Sequence, residues 1–159
     1  MINIKNLEES IKKLILPIVS EKKYKAYKSE ELKELKIYTG LLPPDPEETI
    51  LPAITIRTKK IKNSLEKKVL TIIISTGIFD KDVEKGYEEI SELTQKIFDE
   101  IQKIGIIDNK FEILPEAEWE FPEEQPIPFY VSFIYINIVY EKDYRTDGDN
   151  WINGGDWIG

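Results

Sequence analysis

The sequence predicts an α+β fold, with a sheet of about four strands, antiparallel or mixed, packed with two main helices. Three observations carry that reading. Near the N-terminus and over residues 83–104, apolar residues recur at the helical period. Elsewhere, runs rich in Ile, Val, Thr and aromatic residues carry the period of two that belongs to strands. No glycine-rich phosphate loop follows a strand, which disfavours a doubly wound nucleotide-binding fold.

The N-terminal helix shows its apolar stripe at Leu7, Ile11, Leu14, Ile15 and Ile18. Asn6 is the expected cap, with Glu9 completing a capping box. Pro17 is expected to kink or end the helix near Ile15 or Leu16, because proline lacks the N–H that the ladder needs. Residues 20–36 are rich in Lys and Glu and read as a solvated connection with room for a short helix. A brief strand at residues 36–39 follows, then a loop enforced by Pro43, Pro44 and Pro46. Residues 52–58 and 68–76 read as an antiparallel hairpin, with polar residues 59–67 as its long connection and Gly77 as its end.

The second helix is the clearest element. Asp82 or Asp80 caps it, and Glu84 suits the positive end of its dipole. Val83, Tyr87, Ile90, Leu93 or Thr94, Ile97, Ile101 and Ile104 share a face. Gly105 stands where a left-handed terminating residue belongs, with Ile106 as its hydrophobic contact. Gly86 costs about 1 kcal/mol against Ala inside a helix, which either the close approach of another backbone or simple tolerance accounts for.

Residues 111–140 organise the rest. Phe111 to Leu114 begins a strand that Pro115 interrupts, and Trp119, Glu120 and Phe121 alternate apolar and acidic. Pro122, Pro126 and Pro128 then hold the chain in a rigid elbow. From Phe129 to Tyr140 both faces are largely apolar, so this strand is expected to be central and covered on both sides.

Composition narrows the function. A chain of 159 residues holds one domain, here 1–141, with a Gly-, Asp- and Trp-rich tail at 142–159. A net charge of −8 speaks against a nucleic-acid surface and against docking on an anionic membrane. With no cysteine and no histidine, the usual nucleophilic triads and most transition-metal sites are missing. No signal peptide or bilayer-length apolar run stands out, so a soluble protein made in the cytoplasm is expected.

Two stretches carry candidate chemistry. Glu116, Glu118, Glu120, Glu123 and Glu124 crowd one segment, and paired carboxylates can hydrolyse glycosides or hold Mg²⁺ or Ca²⁺. Hydrolases draw such pairs from separate elements across a cleft, so an acidic edge, solvated or between subunits, is the better reading. In the tail, Asp147, Asp149 and Asn150 resemble the start of a calcium loop, but Gly148 is misplaced and no terminal Glu follows. Trp151 and Trp157 there either fold back on their own domain or dock on a neighbour. No metal and no cofactor is expected.

The succession LPAITIR, VLTIIISTGIFDKDVEKGYEEISELTQKI and FEILPEAEWEFPEEQPIPFYVSFIYINIVYE resembles the tail terminator, or tail-completion, proteins of long-tailed bacteriophages and prophages. The resemblance covers roughly residues 36–141, and its most specific part is the segment from Trp119 to Phe129. It implies an α/β sandwich and a structural, non-enzymatic role. Such proteins form a ring, typically a hexamer, which caps the tail tube and meets the head connector. Their place is the virion tail, and the host cytoplasm during assembly. The partners implied are further copies of the chain, the tail tube protein and a head–tail connector protein, without membrane or sequence-specific nucleic acid. Trp119, Phe121, Glu123, Glu124, Gln125, Pro126, Pro128 and Phe129 are the candidate contacts, with Trp151 and Trp157 as a clasp, while Trp119 and Phe129 read equally well as plain core residues. An adaptor of the same fold outside phages is the alternative, and a carboxylate- or metal-dependent hydrolase a distant third.

Overall fold

The computed structural model describes residues 3–44 and 51–141. Its elements are α1 (Ile4–Val19), β1 (Lys23–Tyr24), β2 (Lys33–Glu34), β3 (Lys36–Thr39), β4 (Ala53–Asn63), β5 (Lys67–Phe79), α2 (Val83–Ile104), β6 (Ile106–Ile107), β7 (Phe111–Glu120) and β8 (Phe129–Glu141). The class is α+β as expected, but among the described residues the main sheet has six strands rather than about four, in the order β3-β4-β5-β8-β7-β6. Only β3 and β4 run parallel, and every other neighbouring pair is antiparallel. β1 and β2 form a separate two-stranded ribbon within the stretch expected to be a solvated connection. Tyr24, Ala26 and Leu35 explain the difference, because all three are buried.

Both helices lie on one face of the sheet, here the inner face. Leu7, Ile11, Ile15 and Val19 of α1 join Ile90, Leu93, Ile97 and Ile101 of α2 in one core. The sheet meets them with alternate residues, among them Ile54, Ile56, Leu70, Ile72, Ile74, Ile134, Ile136 and Ile138. Fully burying each such side chain contributes about 1.5–3 kcal/mol, which outweighs modest strand or helix propensity.

Several expectations about element ends are corrected by packing. Pro17 does not end α1, which runs on to Val19. Proline removes one bond near the helix terminus, while Val19 is buried and Ser20 N–H closes the end on Leu16 C=O. The cap is Asn3, whose side chain accepts from Asn6 N–H, so Asn6 is already inside the helix. Residues 59–63 are strand, not connection. They continue β4 past a bulge between Thr58 and Lys60, leaving only residues 64–66 as the turn. β5 runs through Gly77 to Phe79. Pro115 interrupts pairing without ending β7, since β7 takes four steps from Ile113 to Ala117 where β8 takes two. Proline is tolerated at such a bulge because no ladder bond is asked of it.

α2 begins as its residues predict, while Gly105 at its end has ψ −53° and so is not in the left-handed helical conformation expected there. Asp82 Oδ1 accepts from the N–H groups of Glu84 and Lys85, and Gly105 has φ +75°. Ile106, however, is 52% exposed, and Ile107 is the buried residue of the pair. The neighbour of Gly86 is a side chain rather than a backbone. A Cβ built there would lie 2.3 Å from the Tyr130 ring. Glycine is therefore what lets α2 settle on β8.

Glu8 joins α1 to the sheet. It is buried, and its Oε2 accepts from both Thr58 N–H (3.1 Å) and Thr58 Oγ1 (3.0 Å). β3 pairs with β4 only as far as Ile56, so the carboxylate serves a strand N–H just beyond that pairing.

Candidate interaction surface

The elbow between β7 and β8 lies at one end of the sheet. Behind it, Trp119, Phe121 and Tyr87 form an aromatic chain, with ring centroids 5.2 Å apart for Trp119–Phe121 and 5.6 Å for Phe121–Tyr87. Trp119 and Phe121 pack against the core while staying partly exposed. Gln125 holds the elbow shut. Its Nε2 donates to Val131 C=O (3.0 Å), and its Oε1 accepts from Val131 N–H (2.8 Å). This side chain takes the place of a strand partner, since β7 pairs with β8 only from Phe133 onward.

Asp80 ties the elbow to two other parts of the fold, the start of α2 and Lys25. Its N–H donates to Pro128 C=O at 3.1 Å. Its buried carboxylate accepts from Asp82 N–H (2.9 Å) and pairs with Lys25 Nζ (3.3 Å). Phe129 meets Phe79 and Tyr27 at centroid distances of 5.6 and 5.5 Å. Glu123, Glu124, Pro126 and Ile127 are left exposed on the outside of this braced turn. The sequence-predicted contacts from Trp119 to Phe129 thus fall into two aromatic groups, Trp119 and Phe121 with Tyr87 and Phe129 with Phe79 and Tyr27, joined by a turn whose outer residues are exposed. Trp151 and Trp157 lie outside the described residues.

The acidic stretch does not converge. Glu118 and Glu120 share one face of β7, Glu116 falls in its irregular part, and all three are exposed. Among the described residues, no group of His, Cys, Asp or Glu is arranged to hold a metal ion. No helix there is long and apolar enough to cross a membrane.

A second feature, absent from the sequence reading, is the outer face of the sheet. β8 is central, but it is not covered equally on both sides. Tyr130, Ser132, Ile134, Ile136 and Ile138 are buried under the helices, whereas on the other face Val131, Phe133, Tyr135 and Asn137 are only partly buried, although Val139 there is buried as well. A groove of about 520 Å³ opens there, between Leu41, Leu42 and Leu51 on one side and Val131 and Phe133 on the other, with Arg57 at its rim.

The strand register sorts charge across this face. Arg57, Ile73, Tyr135 and Glu118 form one row from β4 to β7, and Lys62, Val69, Val139 and Glu112 form another. One edge is basic and the opposite edge acidic, while the middle is mixed, with Val69, Ile73, Phe133 and Val139 beside Ser75 and a hydrogen-bonded Thr71–Asn137 pair. Tyr135 links the two edges: Lys59 Nζ lies 5.6 Å from its ring centre, and its hydroxyl donates to Glu120 at 2.9 Å. That hydrogen bond, then burial and the Glu120 and Glu118 charges, push the Tyr135 phenol above its ordinary value. The alternation of cations along β4 and carboxylates along β7 was visible in the sequence, but their shared face was not.

Neither a family model nor a curated protein matches the chain.

Proposed function

We propose that the chain is a ring subunit that terminates a bacteriophage tail, capping the tube and joining it to the head. The observation that carries this reading is the elbow. It presents the exposed Glu123, Glu124 and Pro126 on a turn held by Gln125, Asp80 and an aromatic chain, and it is the segment through which the sequence most resembles tail terminators. A braced turn loses little freedom on docking, which suits a contact that must repeat identically around a ring. A net charge of −8 suits a ring whose lumen passes DNA without holding it. In this role the chain is a structural protein of the virion tail. Its partners are copies of itself, closing as a hexamer, the tube protein and the head connector.

The test is assembly on purified tail tubes, followed by electron microscopy. Glu123→Lys/Glu124→Lys is expected to prevent ring closure on the tubes. Because both residues are exposed, thermal stability should stay within about 0.5 kcal/mol of the parent. Capped tubes formed as readily by this variant as by the parent would sink the reading.

A further inference from the structure

From the charge rows we infer that the outer face of the sheet is a docking surface for a second copy of this chain, related by a two-fold axis running along the strands. The face is built from β4, β5, β8 and β7, and the helices leave it uncovered. Its rows run from Arg57 through Ile73 and Tyr135 to Glu118, and from Lys62 through Val69 and Val139 to Glu112. The charged residue at each end is exposed. Three strand spacings separate the basic and acidic edges, about 14 Å.

The arrangement is self-complementary for one orientation. A two-fold along the strands lays β4 of one copy over β7 of the other and keeps every row at its own level. Arg57 then faces Glu118 of the second copy, and Lys62 faces Glu112. Between the charged edges, Ile73 and Tyr135 of one row and Val69 and Val139 of the other meet their counterparts at the aligned-sheet distance of about 10 Å. The hydrogen-bonded pair Thr71 and Asn137 lies between the rows. Ile73 and Val139 are already buried in the single chain, so the charged edges carry most of the selectivity. A two-fold across the strands would lay β4 over β4 and β7 over β7, setting like charge against like. Charge therefore selects both the occupant and its orientation, as opposed potentials do at specific interfaces.

The contact is small. Four strands at ~4.8 Å spacing and eight residues of length give roughly 500 Å² on each copy. That sum lies below the standard size of specific interfaces, so a weak, reversible and salt-sensitive dimer follows. None of the elbow residues is used, and the inference does not rest on the ring assignment.

Sedimentation velocity from micromolar to millimolar protein, at low and high salt, tests it. The parent is expected to shift from monomer toward twice the monomer mass as concentration rises, and to shift back in high salt. Arg57→Glu and Glu118→Arg should each remain monomeric. Arg57→Glu/Glu118→Arg together should restore the dimer, because the swap re-creates each pair. The Lys62→Glu/Glu112→Lys pair repeats the test at the second row, should either first-row variant fail to melt like the parent. A parent that stays monomeric throughout, or single reversals that dimerise unchanged, would overturn the inference. So would a double swap that fails to recover, or a dimer that survives the reversals and is lost on removing residues 142–159.

Discussion

Gly86 and Tyr130 show how one missing side chain places a helix. Tyr130 is 2% exposed, so its ring cannot swing away when a methyl group arrives 2.3 Å from it. Gly86→Ala gains about 1 kcal/mol of helix propensity but overpacks a closed site, which typically costs 1–3 kcal/mol and more where nothing can relax. Net destabilisation of about 1–2 kcal/mol is the expected result in urea unfolding, with partial recovery in Gly86→Ala/Tyr130→Leu. A stabilised Gly86→Ala would show that the ring is free to move. Tyr24 carries a pH signal. Burial, then Glu89 and Glu92, push its phenol up to about 12. Below the unfolded value near 10 its contribution to stability is complete. Between there and about 12 the unfolded chain releases a proton that the folded chain keeps, so stability falls as pH rises, by at most about 1.4 kcal/mol per pH unit. Tyr24→Phe should lose less stability than the parent across that window, and equal slopes would refute the assignment.

At the scale of elements, chain ends were less legible than chain middles. The apolar stripes of α1 and α2 were readable because 3.6-residue spacing is a property of neighbours in sequence. The far end of β4 was not, because Lys59, Lys60 and Lys62 carry the polarity of a loop while serving as a strand edge, where lysines discourage stray pairing. Glu8 was equally invisible as a link, since a lone carboxylate on an amphipathic helix reads as solvated. Removing it should reveal its role. Glu8→Ala leaves Thr58 N–H without its acceptor, and a loss of about 1.5–3 kcal/mol is expected from a charge-assisted bond. Native-state hydrogen exchange would place the loss where α1 meets β4, and unchanged protection there would argue against the link.

For the whole molecule, the decisive property is the two-sidedness of the sheet. The helices cover one face, and the register gathers cations and carboxylates on opposite edges of the other. The elbow sits at one end, braced from the core side and exposed outside. Ring assembly on tubes tests the elbow, and the charge swap in solution tests the face, so a failure of either leaves the other standing.

The class, both helices, the hairpin and the elbow were legible in the sequence, because propensity, period and proline geometry act between residues close along the chain. The six-stranded order, the bulges that carry β4 and β7 past Lys60 and Pro115, and the sidedness of β8 were decided only in the tertiary structure. Phe129 to Tyr140 is apolar on both faces, and nothing within the stretch says which face the helices take. The charged rows likewise join Arg57 to Glu118 through β5 and β8, partners brought together only by pairing between distant segments, where register is set by burial of the inner face as a whole.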